Sequence, residues 1–315
     1  MVSTRRDVVR QSAAAATAVT TGAIAGCSSV ITGSEQDIAV GSMQWSEAKL
    51  LGYMGYETLR ENTDLSIGDE TSLGGSMQCF EAVKSGEIAL YFLYTGGAWA
   101  TIPPTHDDVP RDPEELYERA KEEMREEHGL EYLQRATFDN TYALAVSPSW
   151  AEETGLETIS EFAEYLNEGN TDVSVVLGSE FAERSDGWPG LAAAYGFEST
   201  LEDLSVQKVG ASLTYQILGE EEADIGMVFT TNPQIKRYDL TVLDDDQDFF
   251  PAYNPAPLAN GDVMDEYPEI EAPLNAVMES LDSEEKMIEI NERVDIEDQD
   301  PQEVARDYLS EEGLI

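Results

Sequence analysis

The sequence predicts an α/β protein of two lobes joined by a hinge, and three observations carry that prediction. Its 315 residues, 41% of them hydrophobic, suffice for two domains of ordinary size with their own cores. Across residues 142–229, short strand-like runs alternate with helical patterns, the βαβ rhythm that builds parallel sheets. Residues 90–99, LYFLYTGGAW, form an apolar run of strand type that delivers Tyr91 and Tyr94 to a Thr-Gly-Gly turn. Open α/β sheets hold their ligands at the carboxyl ends of strands, so this stretch is a candidate binding element.

The chain opens on an address. Thr4-Arg5-Arg6-Asp7-Val8-Val9-Arg10 is a twin-arginine pattern, and the weakly apolar stretch 13–26 is too short to span a bilayer. It ends in Ala23-Ile24-Ala25-Gly26-Cys27, which resembles a lipobox with Cys27 as the lipidated residue. Residues 1–27 are therefore read as a twin-arginine signal with lipobox, and the small polar residues 28–36 as a tether. Residues 38–41 are a strand, followed by a helix capped by Ser46 whose apolar positions Leu50, Leu51, Met54 and Leu59 keep a helical period. Leu73-Gly74-Gly75 turns into a second helix, capped by Ser76 and stopped by Gly86, and residues 88–93 are the strand that reaches the tyrosine turn. Asp112-Pro113-Glu114-Glu115 is a capping box with proline at the first helical position; its helix runs to His128-Gly129 and pairs Glu115 with Arg119.

Residues 142–146 are a strand, beyond which a new unit begins: a helix capped near Ser160, then strands at 173–177, 205–209 and 225–229 separated by helices near 190–195 and 211–221. Helical segments near 265–281, 283–293 and 301–310 finish the chain. The expected lobes are 37–146 with 245–315, and 147–244.

Composition narrows the function. With 64 Asp and Glu against 18 Lys and Arg, the formal charge is −46. Self-repulsion on that scale opposes compaction unless salt screens it, and at about 1 M salt the Debye length is only about 3 Å. The acids are spread along the whole chain, as on a solvated surface adapted to brine. No Lys/Arg patch is present for phosphate contacts, which argues against nucleic acid. Cys79, the one thiol besides Cys27, leaves neither a disulfide framework nor a metal-binding cysteine pair, and reads as a buried structural thiol. His106 and His128 are the only histidines, and neither lies near a nucleophile motif or a zinc helix.

The motif order carries a family resemblance. Residues 38–54 (IAVGSMQWSEAKLLGYM) give a strand ending Gly-Ser and a Glu-bearing helix start, residues 73–90 the Leu-Gly-Gly turn, and residues 90–99 a strand ending Tyr-Thr-Gly. This resembles the glycine betaine (quaternary-amine osmoprotectant) substrate-binding proteins of ABC importers, of haloarchaeal type. The resemblance implies a type II periplasmic-binding-protein-like fold, with no enzymatic activity, no cofactor and no metal. A quaternary ammonium has no hydrogen to donate and is held by π faces, each adding about 0.5–2 kcal/mol when desolvated. The family's aromatic box falls on Tyr94, Tyr142, Phe229 and Tyr253, with phenylalanine at 229 where the family usually has tyrosine. Its carboxylate-gripping arginine falls on Arg184, in Glu183-Arg184-Ser185-Asp186-Gly187-Trp188-Pro189; a planar fork suits a carboxylate. Thr95 is a possible further contact. Met43 stands where the family often has lysine, and Gly97 where it has a second small hydroxyl residue. Either backbone amides and Arg184 suffice for a carboxylate, or the ligand lacks one, as choline does.

The expectation is an exported protein, lipid-anchored on the outer face of the cell membrane, that takes a quaternary-ammonium osmolyte, glycine betaine first, and delivers it to an ABC permease and its ATPase complex. The alternatives are the same fold binding choline, carnitine or another small solute, a surface adhesion protein, or an enzyme.

Overall fold

The computed structural model describes residues 36–106 and 109–315; the twin-arginine motif, the lipobox and Cys27 lie outside the described residues. Two five-stranded sheets organise residues 36–315. In the first, β1 (Ile38–Met43), β2 (Ile67–Gly74) and β3 (Leu90–Tyr94) are parallel, with β4 (Leu130–Tyr132) and β10 (Pro255–Asn260) added to give the order β2-β1-β3-β10-β4. In the second, β6 (Ser174–Gly178) is parallel to β7 (Ser205–Val209) and β8 (Ile225–Phe229), while β5 (Tyr142–Val146) runs antiparallel to β8 and to the short β9 (Thr241–Val242), in the order β7-β6-β8-β5-β9. The chain thus crosses from the first sheet to the second between β4 and β5, and returns between β9 and β10. These are two lobes, the first discontinuous in sequence.

Helices α1 (Ser46–Asn62), α2 (Ser76–Ser85), α3 (Thr95–Thr101) and α4 (Pro113–His128) belong to the first pass. The second pass carries α5 (Pro148–Thr154), α6 (Ile159–Asn167), α7 (Trp188–Tyr195), α8 (Thr214–Gly219) and α9 (Gln234–Arg237). After the return come α10 (Gly261–Glu266), α11 (Glu271–Ser280), α12 (Glu284–Asp295) and α13 (Pro301–Glu311). Local chemistry sets several of their ends. Asp112 accepts from the Glu115 amide at 2.9 Å to start α4, and Glu115 pairs with Arg119 at 2.5 Å as its spacing predicts. Gly86 and Gly129, at φ 77° and 67°, end α2 and α4 in the left-handed conformation that glycine takes without strain.

Several expectations need correcting. Strand 142–146, assigned to the first lobe, pairs with β8 in register Tyr142↔Phe229, so the crossing comes before Tyr142. A five-residue apolar strand carries no mark of which sheet it joins. The cap of α1 is Trp45, and Ser46 donates its hydroxyl to Asp295 of α12; the cap of α2 is Gly75; the cap of α6 is Thr158, whose hydroxyl and Glu161 form a reciprocal capping box. The Thr-Gly-Gly turn opens α3, a helix start. A Cβ at Gly96 would lie 2.9 Å from the Ala252 carbonyl oxygen, so only glycine lets α3 approach the returning chain this closely.

One large core takes in both faces of the first sheet and one face of the second, with α1, α2, α11 and α13 among its helices, and a smaller one, around Tyr215, Leu218 and Val228, covers the other face of the second sheet. Cys79 is buried in the first, its thiol pushed up to about 11 by burial. Glu57 of α1 is held by Arg306 of α13 at 2.6 Å, which fixes the last helix against the first. No helix among the described residues is long and apolar enough to cross a membrane.

Candidate ligand-binding site

The site forms where strands of both sheets end. The last residue of β3, Tyr94, lies in register with Pro255 of β10, so the residues just before β10 are drawn to the same place. Thr95 fixes them there: its amide donates to the Asn254 carbonyl at 3.1 Å, its hydroxyl donates to the Ala252 carbonyl at 3.0 Å, and the Asn254 amide donates back to that hydroxyl at 3.2 Å. Tyr253 is thereby brought to the cavity that Tyr94 lines. From the second sheet come Tyr142, the first residue of β5, and Phe229, the last of β8, directly paired across the antiparallel ladder.

The rings converge. Tyr142 stacks on Phe229 with centroids 4.9 Å apart and meets Tyr253 edge-on at 5.2 Å. Trp45, the cap of α1, stacks on Phe229 at 6.1 Å and lies 6.3 Å from Tyr94. All five rings line one cavity, together with Arg184, Gly97 and Asn140. Such packing is worth about 0.5–1.5 kcal/mol per pair beyond the area buried. A cleft of about 390 Å³, lined by Gly74, Gly75, Gly178, Glu180 and Gly210, shares Trp45, Tyr142 and Phe229 with this cavity. Across it Glu180 of the second lobe reaches Ser76 at the start of α2, with 3.4 Å between its carboxylate and the serine hydroxyl.

Arg184 is in the cavity wall, its guanidinium carbon 5.6 Å from the Tyr142 centroid. It is not a free cation. Its Nε donates to Asp186 at 2.7 Å, its Nη2 donates to the other Asp186 oxygen, and the Tyr253 hydroxyl donates to that same carboxylate. Asp186 is 5% exposed. One edge of the planar fork is therefore occupied by the chain's own carboxylate, leaving Nη1, 4.0 Å from Glu180.

The remaining candidates separate. Gly97 lines the cavity, and a Cβ there would sit 3.8 Å from both Arg184 and Tyr253, an ordinary contact. The glycine leaves room where a side chain would fit without clash. Met43 is fully buried with its sulfur 3.5 Å from the Ser76 hydroxyl, and is absent from the lining of the ring cavity. The Thr95 hydroxyl is committed to the backbone of residues 252–254.

Sequence reasoning missed Trp45, Glu47, Asn140 and Asp186. Glu47, 4% exposed in the first turn of α1, accepts hydrogen bonds from Tyr94 Oη at 2.7 Å, Asn140 Nδ2 at 2.7 Å, Thr231 Oγ1 at 2.6 Å and Asn291 Nδ2 at 2.8 Å. Asn140 precedes β5 and Thr231 follows β8, so one carboxylate ties the first lobe to both strands at the end of their ladder where Tyr142 faces Phe229. Burial pushes the Glu47 carboxyl up from its ordinary range, and the four donors pull it back. A signal for Trp45 and Glu47 was present: they follow directly on the carboxyl end of β1, the same rule that singled out Tyr94. Nothing in the sequence marks Asn140.

Two open sheets crossed twice by the chain, with a ring-lined cavity at their strand ends, define a two-lobed solute-binding protein. Residues 36–311 match the family described as the substrate binding domain of ABC-type glycine betaine transport systems, and the chain belongs to that family. The chemotactic signal transduction system substrate-binding protein CosB of Halobacterium salinarum is 32% identical over 291 residues, covering 88% of this chain and 84% of its own. A glycine-betaine-binding protein of Pseudomonas aeruginosa is 32% identical over 287 residues, 89% of each. Among solved structures, apo YehZ from Escherichia coli superposes with a TM-score of 0.63 at 27% identity, over 88% of this chain and 99% of that one. The family is one of transport substrate-binding domains, not of enzymes.

Proposed function

We propose that this protein captures a quaternary-ammonium osmolyte, glycine betaine first among them, in a box formed by Trp45, Tyr94, Tyr142, Phe229 and Tyr253, and hands it to an ABC permease driven by its ATPase. The observation that carries this reading is the meeting of rings from both sheets around one cavity. Tyr94 and Tyr253 belong to the first lobe, Tyr142 and Phe229 to the second, so a ligand between them is fully enclosed only when the lobes are together, and closure becomes the signal a partner reads. The lobes we assign are 37–141 with 245–315, and 142–244. The twin-arginine and lipobox motifs support export and attachment through Cys27 to the outer face of the membrane. In a second reading the closed form reports to a chemotaxis receptor; likeness to a relative from a chemotactic signalling system favours it.

Because Trp45 stands in the box, ligand entry should change tryptophan emission. A saturable change with glycine betaine, choline or carnitine in molar KCl, lost in Trp45→Phe, is the expected result. Folded protein whose emission and equilibrium dialysis register none of the three would refute the assignment.

A further inference from the structure

Glu47 is a buried carboxylate whose partners are all neutral: a phenol, a threonine hydroxyl and two asparagine amides. No ion pair among the described residues includes it. An isolated buried carboxylate ordinarily takes up a proton or finds a cation. Here both asparagine contacts come from Nδ2, which can only donate, and two hydroxyls complete a set of four donors, the surroundings that suit an ionised, acceptor-only carboxylate. Burial works the other way, as does the like charge of Asp139, beside Asn140; Asp295 of α12 lines a small cavity together with Glu47. The charge ledger of the cavity is telling. Arg184 and Asp186 cancel one another, Glu180 stands at the adjoining cleft 4.0 Å from Arg184 Nη1, and Glu47 is the buried carboxylate bonded to a ring of the cavity, through the Tyr94 hydroxyl.

We propose that Glu47 is the counter-anion of the bound quaternary ammonium, acting through the Tyr94 ring, and that it sets the preference for a charged head group over a neutral one of the same shape. This rests on the quaternary-amine reading above. A phenol donating to a carboxylate gains electron density over its ring, which strengthens the face a cation meets. The Tyr94 hydroxyl fixes the ring as well, so Glu47 is a positioning residue, and the test has to separate its charge from its shape.

Each natural head group has a carbon isostere in which the nitrogen is replaced: tert-butylacetate for glycine betaine and neohexanol for choline. Affinities of both pairs, measured by calorimetry in molar KCl, give a charged-over-neutral ratio. Glu47→Gln should lower that ratio by about tenfold or more, the scale of one unit charge acting across a ring at intermediate dielectric, whereas Glu47→Asp should keep it within about threefold. Equal weakening of both members of a pair in Glu47→Gln would reduce Glu47 to a shape role and overturn the proposal. Should Glu47→Gln yield no folded protein, Tyr94→Phe decides: a lowered ratio supports the assignment and an unchanged ratio overturns it. Wild-type protein that binds neither glycine betaine nor choline overturns the quaternary-amine reading, and this assignment with it.

Discussion

Arg184→Ala separates the two roles open to that residue. In the structure the guanidinium meets Asp186 through two parallel hydrogen bonds, the Nε one at 2.7 Å, with side-chain exposures of 13% for Arg184 and 3% for Asp186. Removing one member of a buried pair strands the other and typically costs about 3–5 kcal/mol. The Tyr253 hydroxyl still donates to Asp186 in the variant, which offsets about 1 kcal/mol of that. The lost contact with the Tyr142 ring adds about 0.5–1 kcal/mol. The expected loss is therefore about 2.5–5 kcal/mol of folding stability, read by urea unfolding at fixed molar KCl as a lower midpoint with an unchanged m-value. Asp186→Asn in the same background should recover about half of it, giving a coupling energy of at least about 1.5 kcal/mol, larger by whatever Asp186→Asn costs alone. Binding is read on the same variants. Glycine betaine should weaken by tenfold or so, the value of one charge-assisted contact, while choline is spared. A stability loss under about 1 kcal/mol without coupling would refute the structural role, and equal losses for both ligands would remove Arg184 from carboxylate recognition.

Four further outcomes follow from the same geometry. Tyr94→Ala should cost more than about 1 kcal/mol of binding, checked by calorimetry; unchanged affinity removes Tyr94 from the box. Gly75→Ala places a Cβ 2.3 Å from Glu180 Oε1 across the cleft, displacing a carboxylate that also touches Ser76, so it should weaken ligand binding severalfold with little change in melting temperature, and equal affinity would mean that Glu180 swings aside without consequence for the site. Asp139, whose carboxyl burial pushes up to about 6, binds its proton more tightly in the folded state, so its contribution is present at low pH and lost as pH rises through about 6. Asp139→Asn should flatten that part of the urea-unfolding profile between pH 4 and 7, and parallel profiles would contradict the assignment. With a formal charge of −46, the melting temperature should fall by roughly 10 °C or more when KCl drops from about 2 M to 0.1 M, as the Debye length grows to about 10 Å; a salt-independent melt would mean the acidity is not an adaptation to brine.

What the sequence disclosed follows from what is local. Strands β1, β3, β6 and β8 announce themselves by apolar runs bounded by turn residues and β7 by its alternation, and strand ends in α/β sheets are where ligands sit, so the tyrosines of the box were within reach. Strand β2 was not, because as an edge strand it exposes Asp69, Glu70 and Ser72. Nor was β10, whose Pro255 and Pro257 argue against a central strand. It is tolerated because Pro257 accepts from the Leu133 amide at 2.9 Å and needs no N–H of its own there. The pairing of Arg184 with Asp186 lies two residues apart in the sequence and was still missed, since in a chain this acidic every arginine has a carboxylate nearby. Glu47 stands after the carboxyl end of β1, but among 64 acids that position is a weak signal, and burial against four donors from four separate segments is what distinguishes it.

The central claim is that the ring cavity takes a quaternary ammonium, and calorimetric titration of residues 28–315 in molar KCl with glycine betaine and with choline tests it most directly. The account predicts one saturable site for at least one of them, abolished by Tyr142→Ala in protein that still unfolds cooperatively. No binding of either by the folded wild-type chain, or full binding by the Tyr142 variant, would contradict it.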